Sequence, residues 1–137
     1  RIAKVIVERR RENPLRTTQD LVDCVLAAVP VAARDKRIHP ATRTYQGVRI
    51  AINRELEDLE TALKEIARCL AIGGRMVVLS YHSLEDRAVK RAFRELAQEG
   101  EFEDLFRKPL EPSEEEVARN RRSRSAKLRA VRRKEER

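Results

Sequence analysis

The chain concentrates its reactive side chains just after residue 79. In RMVVLSYHSLEDRAVKR, residues 75–91, an apolar run ends in Ser80-Tyr81-His82-Ser83, and the carboxylates Glu85 and Asp86 follow at once. Hydroxyls, an imidazole and two carboxylates on one loop can orient a polar substrate, accept a proton or brace one another. Two readings compete. As a capping box, Ser83 starts a helix with Asp86 at its N3 position, and Glu85 is a first-turn carboxylate favoured by the helix dipole. As a site wall, Ser80, His82 and Ser83 face a ligand while Glu85 or Asp86 fixes the loop. Capping by Ser83 and Asp86 leaves His82 unexplained. A serine hydrolase is disfavoured, because no G-x-S-x-G elbow is present and a base two residues from its nucleophile on one loop makes poor triad geometry.

The flanking elements indicate what positions this loop. Residues 75–80 are nearly all apolar without alternation, which predicts a strand buried on both faces, as in a parallel sheet covered by helices. Ala88, Val89, Ala92, Phe93 and Leu96 then line a helix that Gly100 closes. Upstream, Tyr45, Val48, Ile52, Leu56, Leu59, Leu63, Ile66 and Leu70 recur in steps of three and four. That period predicts one long amphipathic helix over 40–70, opened by Pro40 and ended by Gly73-Gly74. Helix, Gly-Gly turn, strand and helix are parts of an α/β sheet, whose ligands bind beyond the carboxyl ends of the strands. Ser80–Asp86 lies at such an end.

Residues 1–12 form a helix end closed by Asn13-Pro14, and Thr17-Thr18-Gln19-Asp20 is a capping box for a helix bearing Leu21, Val22, Val25 and Leu26. An edge strand is expected near 105–110, a short capped helix in PSEEEVARN, and a half-exposed strand in SAKLRAVRR. Cys24 and Cys69 read as reduced core residues, and no Cys/His spacing resembles a metal site. No apolar stretch reaches the length of a membrane span, and no signal sequence opens the chain, so a soluble protein is expected. The chain starts at Arg1 in what looks like a helix already under way, and reads as the C-terminal part of a longer protein.

Charge is unevenly placed. Of the 137 residues, 31 are Lys or Arg and 23 are Asp or Glu, for a net +8. Residues 1–16 carry +4, residues 119–137 carry +8, and the stretch between them −4. Basic ends attract polyanions, usually nucleic acid, by counterion release, or else they are simply solvated.

Three segments carry a resemblance: IHPATRTYQGVRIAINRELEDLETAL, then GGRMVVLSYHSLEDRAVKRAF, then RKPLEPSEEEVARNRRSRSAKLRA. In this order they resemble the bacterial 16S ribosomal RNA cytosine-N4 methyltransferases, which use S-adenosylmethionine, and the match covers nearly the whole chain. The resemblance implies an α/β fold: the C-terminal part of a Rossmann-like methyltransferase sheet (39–137) plus the remainder of an inserted helical substrate domain (1–38). It implies a cytoplasmic enzyme whose partner is 16S ribosomal RNA, expected within the small ribosomal subunit, with no membrane and no metal. Ser80, His82, Ser83, Glu85 and Asp86 become the expected catalytic set. His39, Arg43, Arg49, Asn53, Arg122, Arg124, Lys127 and Arg129 become the expected RNA-binding or pocket-supporting set. Arg43 and Arg49 do not share a stripe of their helix, so one is expected to form a salt bridge while the other reaches phosphate. The family's Gly-rich cofactor loop, acidic ribose ligand and Asp-Leu-Gly-type segment would lie upstream of Arg1. S-adenosylmethionine is therefore expected to be held mainly by residues outside this chain, which alone would be inactive. The competing class is a non-catalytic basic module for RNA binding or ribosome assembly.

Overall fold

The computed structural model describes residues 1–135, which form two compact units, one over residues 1–55 and the other from residue 56 onward. The first unit is helical: α1 (Ile2–Glu12), α2 (Thr18–Ala28), a 3-10 turn at Val31–Ala33, and α3 (Thr42–Asn53). The Thr17 capping box forms as its sequence suggests. The Thr17 hydroxyl accepts from the Asp20 N–H at 3.2 Å, and Asp20 Oδ2 accepts from the Thr17 N–H at 2.8 Å. Cys24, Val25 and Ala28 are buried on α2. At the other end of α2, Arg34 donates to the carbonyls of Leu26 and Val29, two acceptors that the helix cannot satisfy internally.

The second unit is mixed α/β. It runs α4 (Leu59–Arg68), β1 (Arg75–Ser80), α5 (Ser83–Glu99), β2 (Phe102–Asp104), α6 (Glu114–Arg119), a 3-10 turn at Arg121–Ser125, and β3 (Lys127–Arg133). The sheet order is β1-β3-β2 and both pairings are antiparallel. Its core joins Leu63 and Ala67 of α4 to Val89, Ala92, Phe93 and Leu96 of α5, with Phe102 and Val131 from the sheet. Arg133 crosses to donate to the carbonyls of Arg68 and Leu70 at the end of α4, as Arg34 does for α2. Gly73 takes φ +76°, and a Cβ on Gly74 would stand 2.7 Å from the Ala71 carbonyl, so the Gly-Gly turn requires both residues.

Several expectations are corrected. The long helix over 40–70 is two helices, interrupted at 54–58 by left-handed backbone at Arg54 (φ 54°) and Asp58 (φ 58°). Its apolar stripe is not one buried face either, since Ile52 and Ile66 are exposed. The strand at 75–80 is an edge strand, antiparallel to β3, and its side chains do alternate. Met76 and Val78 turn to the core, whereas Val77 (58% exposed) and Leu79 (49%) face outward. The expected edge strand near 105–110 lies earlier, at β2, leaving Leu110 only a bridge to Leu128. The terminal strand is central rather than half-exposed, with Arg129, Ala130 and Val131 buried. Cys69 is exposed at the end of α4 and is not a core residue; both cysteines are free thiols.

Candidate functional site

The loop after β1 is built by α5 and β3 rather than by the chemistry its residue types suggest. Helix α5 begins at Ser83, and its N-cap is His82. His82 Nδ1 accepts from the Glu85 N–H at 3.2 Å. Glu85 Oε2 in turn accepts from the N–H groups of Tyr81 and His82, at 3.0 and 3.3 Å. The capping box therefore pairs His82 with Glu85, one residue earlier than the Ser83–Asp86 frame. Because Nδ1 accepts, the neutral imidazole carries its proton on Nε2. That nitrogen is buried, lies 3.1 Å from Glu85 Oε1, and is not aligned for a hydrogen bond.

With the cap assigned to His82, Asp86 is released for another task. Its carboxylate is buried and takes two bonds from the Arg129 guanidinium, Nε to Oδ1 at 2.7 Å and Nη2 to Oδ2 at 3.3 Å. Arg129 is 4% exposed and stands opposite Val78 on the core-facing side of the sheet. Lys127 Nζ lies 3.9 Å from Asp86 and 3.7 Å from Glu111. The Ser80 hydroxyl is buried and donates to the Lys127 carbonyl. The Ser80 and Asp86 side chains thus tie the loop to β3 from beneath the surface. A buried charge needs such partners, since desolvation otherwise costs more than folding returns.

Of the five residues expected to carry catalysis, the structure brings all onto one loop but gives them unequal exposure. Ser83 is exposed, Ser80 and Asp86 are buried, and His82 and Glu85 are engaged with each other. Tyr81, to which the sequence reading gave no role, is 54% exposed at the tip. An aromatic at the end of a strand beside a hydroxyl-bearing loop was the available signal. Leu84 is also exposed there.

The expected RNA-binding residues divide between the two units. In the first, His39 Nδ1 accepts from the Ala41 N–H and shapes the turn before α3. Arg49 forms a two-pronged ion pair with Glu55, at 2.9 and 3.2 Å, and Asn53 donates to the same carboxylate. Arg43 is exposed on the first turn of α3. In the second unit Arg122 and Arg124 are exposed on the 3-10 turn. Lys127 is half-buried between carboxylates, and the burial of Arg129 against Asp86 removes its guanidinium from any surface phosphate. Among the described residues, no group of three His, Cys, Asp or Glu is arranged to hold a metal, and no helix is long and apolar enough to cross a membrane.

Comparison with known proteins gives this loop its context. Residues 1–134 match the model of the MraW methylase family. A ribosomal RNA small subunit methyltransferase H from Acidobacterium capsulatum is 53% identical over 134 residues, which are 98% of this chain and 44% of that protein. The protein of the same name from Geobacter sp. (strain M21) is 46% identical, covering 96% of this chain and 47% of its own length. That from Coprothermobacter proteolyticus is 50% identical over 94% and 42%. The chain spans under half the length of these curated relatives. Since the family match takes in both helical and mixed units, the loop and its β3 brace are read as parts of one inherited framework: the chain belongs to the MraW methylase family.

Proposed function

We propose that this chain is the substrate-facing part of an S-adenosylmethionine-dependent methyltransferase that methylates the exocyclic N4 amine of a cytidine in 16S ribosomal RNA. The names of its relatives support the reaction class and the ribosomal substrate. The observation that carries the reading is the double bracing of Ser80–Asp86, by the His82–Glu85 box and by the Asp86–Arg129 pair. A loop held at two points presents its remaining groups, Tyr81 and Ser83, in fixed positions.

Such rigidity suits the chemistry. The amine of cytosine is a weak nucleophile because its lone pair is delocalised into the ring, so transfer depends on in-line placement and on acceptors that orient its N–H bonds. The Ser83 hydroxyl oxygen is the exposed acceptor at the tip. Tyr81 offers an aromatic face for a base taken out of its stack. His82, Glu85, Asp86 and Arg129 act as positioning residues, and Ser80 ties β1 to β3 beneath them.

The residues of this chain do not fit S-adenosylmethionine. Gly73-Gly74 is spent on the end of α4 and on hydrogen bonds to Arg133, Gly100 ends α5, and the tip carboxylates are occupied by capping and by Arg129. Among the described residues, no glycine turn opens a helix N-terminus, and no uncommitted carboxylate at the tip awaits a ribose. The cofactor is held by other residues. Accordingly this chain alone neither binds the cofactor tightly nor methylates; micromolar binding in a calorimetric titration would contradict that.

The decisive assay uses a protein of the relatives' full length carrying this chain, with isotopically labelled methyl donor and small ribosomal subunits. Nucleoside mass spectrometry should find the label in N4-methylcytidine. Label in another nucleoside, or none, would refute the reading and favour a non-catalytic RNA-binding or assembly module.

A further inference from the structure

Helix α5 sorts its charges by side. Glu95 and Glu99 turn toward α4, where they pair with Lys64 at 2.7 Å and Arg68 at 3.1 Å. Another side carries Arg87, Lys90, Arg91 and Arg94, all exposed, around a depression of about 170 Å³. Arg91 reaches Glu60 at 3.4 Å. Among the described residues, Arg87, Lys90 and Arg94 have no acidic partner.

This arrangement works against the helix. Positions three and four apart are neighbours on a helix surface, so Arg87 faces Lys90 and Arg91, and Lys90 faces Arg94; each like-charged pair destabilises. Among the described residues no ion pair compensates Arg87, Lys90 and Arg94. A ligand that neutralises them would.

We propose that Arg87, Lys90 and Arg94 form a track for the phosphates of single-stranded RNA leading away from the Tyr81–Ser83 tip, an assignment that rests on the ribosomal RNA reading above. Steps of three and four residues place the cations roughly 4.5–6 Å apart along the helix axis, close to the interval between consecutive phosphates in a strand. The track starts one turn beyond Ser83 on the same rigid helix. A base held at the tip would therefore have its neighbouring backbone directed along it. The stripe lacks the apolar companion face of a membrane-surface helix and the aromatic anchors of a protein interface. Phosphate contact needs neither.

The test measures binding of this chain to a fluorescently labelled single-stranded RNA of small-subunit sequence, by anisotropy across a salt series. The triple variant R87Q/K90Q/R94Q should keep its helicity and melt no lower than the parent chain, since it removes like-charged neighbours. It should lose tenfold or more in affinity at 50 mM salt, and the slope of log affinity against log salt should fall by about two, from about 0.7 per phosphate released. A control, R1Q/R10Q/R11Q, removes equal charge from exposed sites elsewhere and should cost clearly less. Equal losses from both variants, or an unchanged slope in the first, would overturn the proposal. So would a triple variant that loses poly-glutamate binding while keeping RNA binding, because the occupant would then be an acidic protein. This assay involves no methyl donor. A full-length protein that fails to methylate would defeat the functional reading and leave the track standing, and a methylating protein whose track variant binds normally would do the reverse.

Discussion

Asp86, on the first turn of α5, and Arg129, at the middle of the central strand β3, form a buried two-point ion pair with a short arm of 2.7 Å. It joins the helix that follows the loop to the strand beside the one that precedes it. Replacing one partner strands the other charge in the interior, which typically costs about 3–5 kcal/mol. We expect R129M and D86A each to lower unfolding free energy by about that amount in urea titrations. The double variant D86L/R129M should recover much of the loss, since an apolar pair of similar volume avoids desolvation altogether. A D86A variant as stable as the parent chain would show that the pair does not brace the loop.

His82 separates a structural from a chemical role. Removing the N-cap acceptor in H82A should cost about 1 kcal/mol. H82D and H82N supply a cap oxygen and should restore stability. In a full-length protein, restored stability with restored methyl transfer would mark His82 as a positioning residue only. Restored stability without turnover would assign the imidazole a direct part in catalysis.

What could be read from residue order and what could not divides along a physical line. Short-range signals were legible: Thr17 with Asp20, Ser113 accepting from the Glu116 N–H, the Gly-Gly turn, and the apolar stripe of α5. Each is set by residues within a turn or two of one another. The break at 54–58 was not legible, because the segment has no glycine or proline and the apolar period continues through it. Left-handed backbone at Arg54 and Asp58 costs roughly 1–2 kcal/mol each, and only the structure records it. The α5 cap was displaced by one residue because Ser83-x-x-Asp86 and His82-x-x-Glu85 are both plausible boxes. Arg129 then decides between them by claiming Asp86 from far along the chain. Strand direction was equally hidden, since β1 pairs with β3, which lies far along the chain. The basic stripe of α5 was present in the sequence all along, at the positions between the apolar ones.

Acid should loosen the start of α2. The Thr17 N–H, then the Arg16 N–H, then the Thr17 hydroxyl all donate to Asp20 and hold its pKa below the ordinary 3.8. A lowered carboxylate pKa contributes stability that is present above the unfolded value and is lost as pH falls through the folded one. Between pH 7 and 5 the Thr17 and Arg16 amides should therefore keep their protection from exchange, and lose it progressively below pH 3.8. In D20N this pH dependence should vanish. The Lys64–Glu95 pair runs the other way at high pH. Its hydrogen bond to Glu95 raises the Lys64 pKa above 10.5, so its contribution is complete below that value and fades as pH climbs past the raised one.

The outer face of the sheet carries an apolar row. Leu79, Leu128 and Leu110 are register neighbours across three adjacent segments, and Val77 lies beside them on β1. Leu79, Leu110 and Val77 are each about half exposed, while the far edge of β1 has no strand partner among the described residues. An unpaired edge beside an apolar row is a template for another strand or another copy. These side chains contribute little to the core that Phe93 and Phe102 fill, so V77T/L79T should change unfolding free energy by no more than about 0.5 kcal/mol. F93A, by contrast, should cost about 3–5 kcal/mol. Self-association should follow the surface and not the core. Light scattering on the isolated chain should show mass rising with concentration, and L79K, which sets a charge on the edge strand, should hold it at the monomer mass. If L79K associates as readily as the parent chain, the contact lies elsewhere and the β1 edge is already protected.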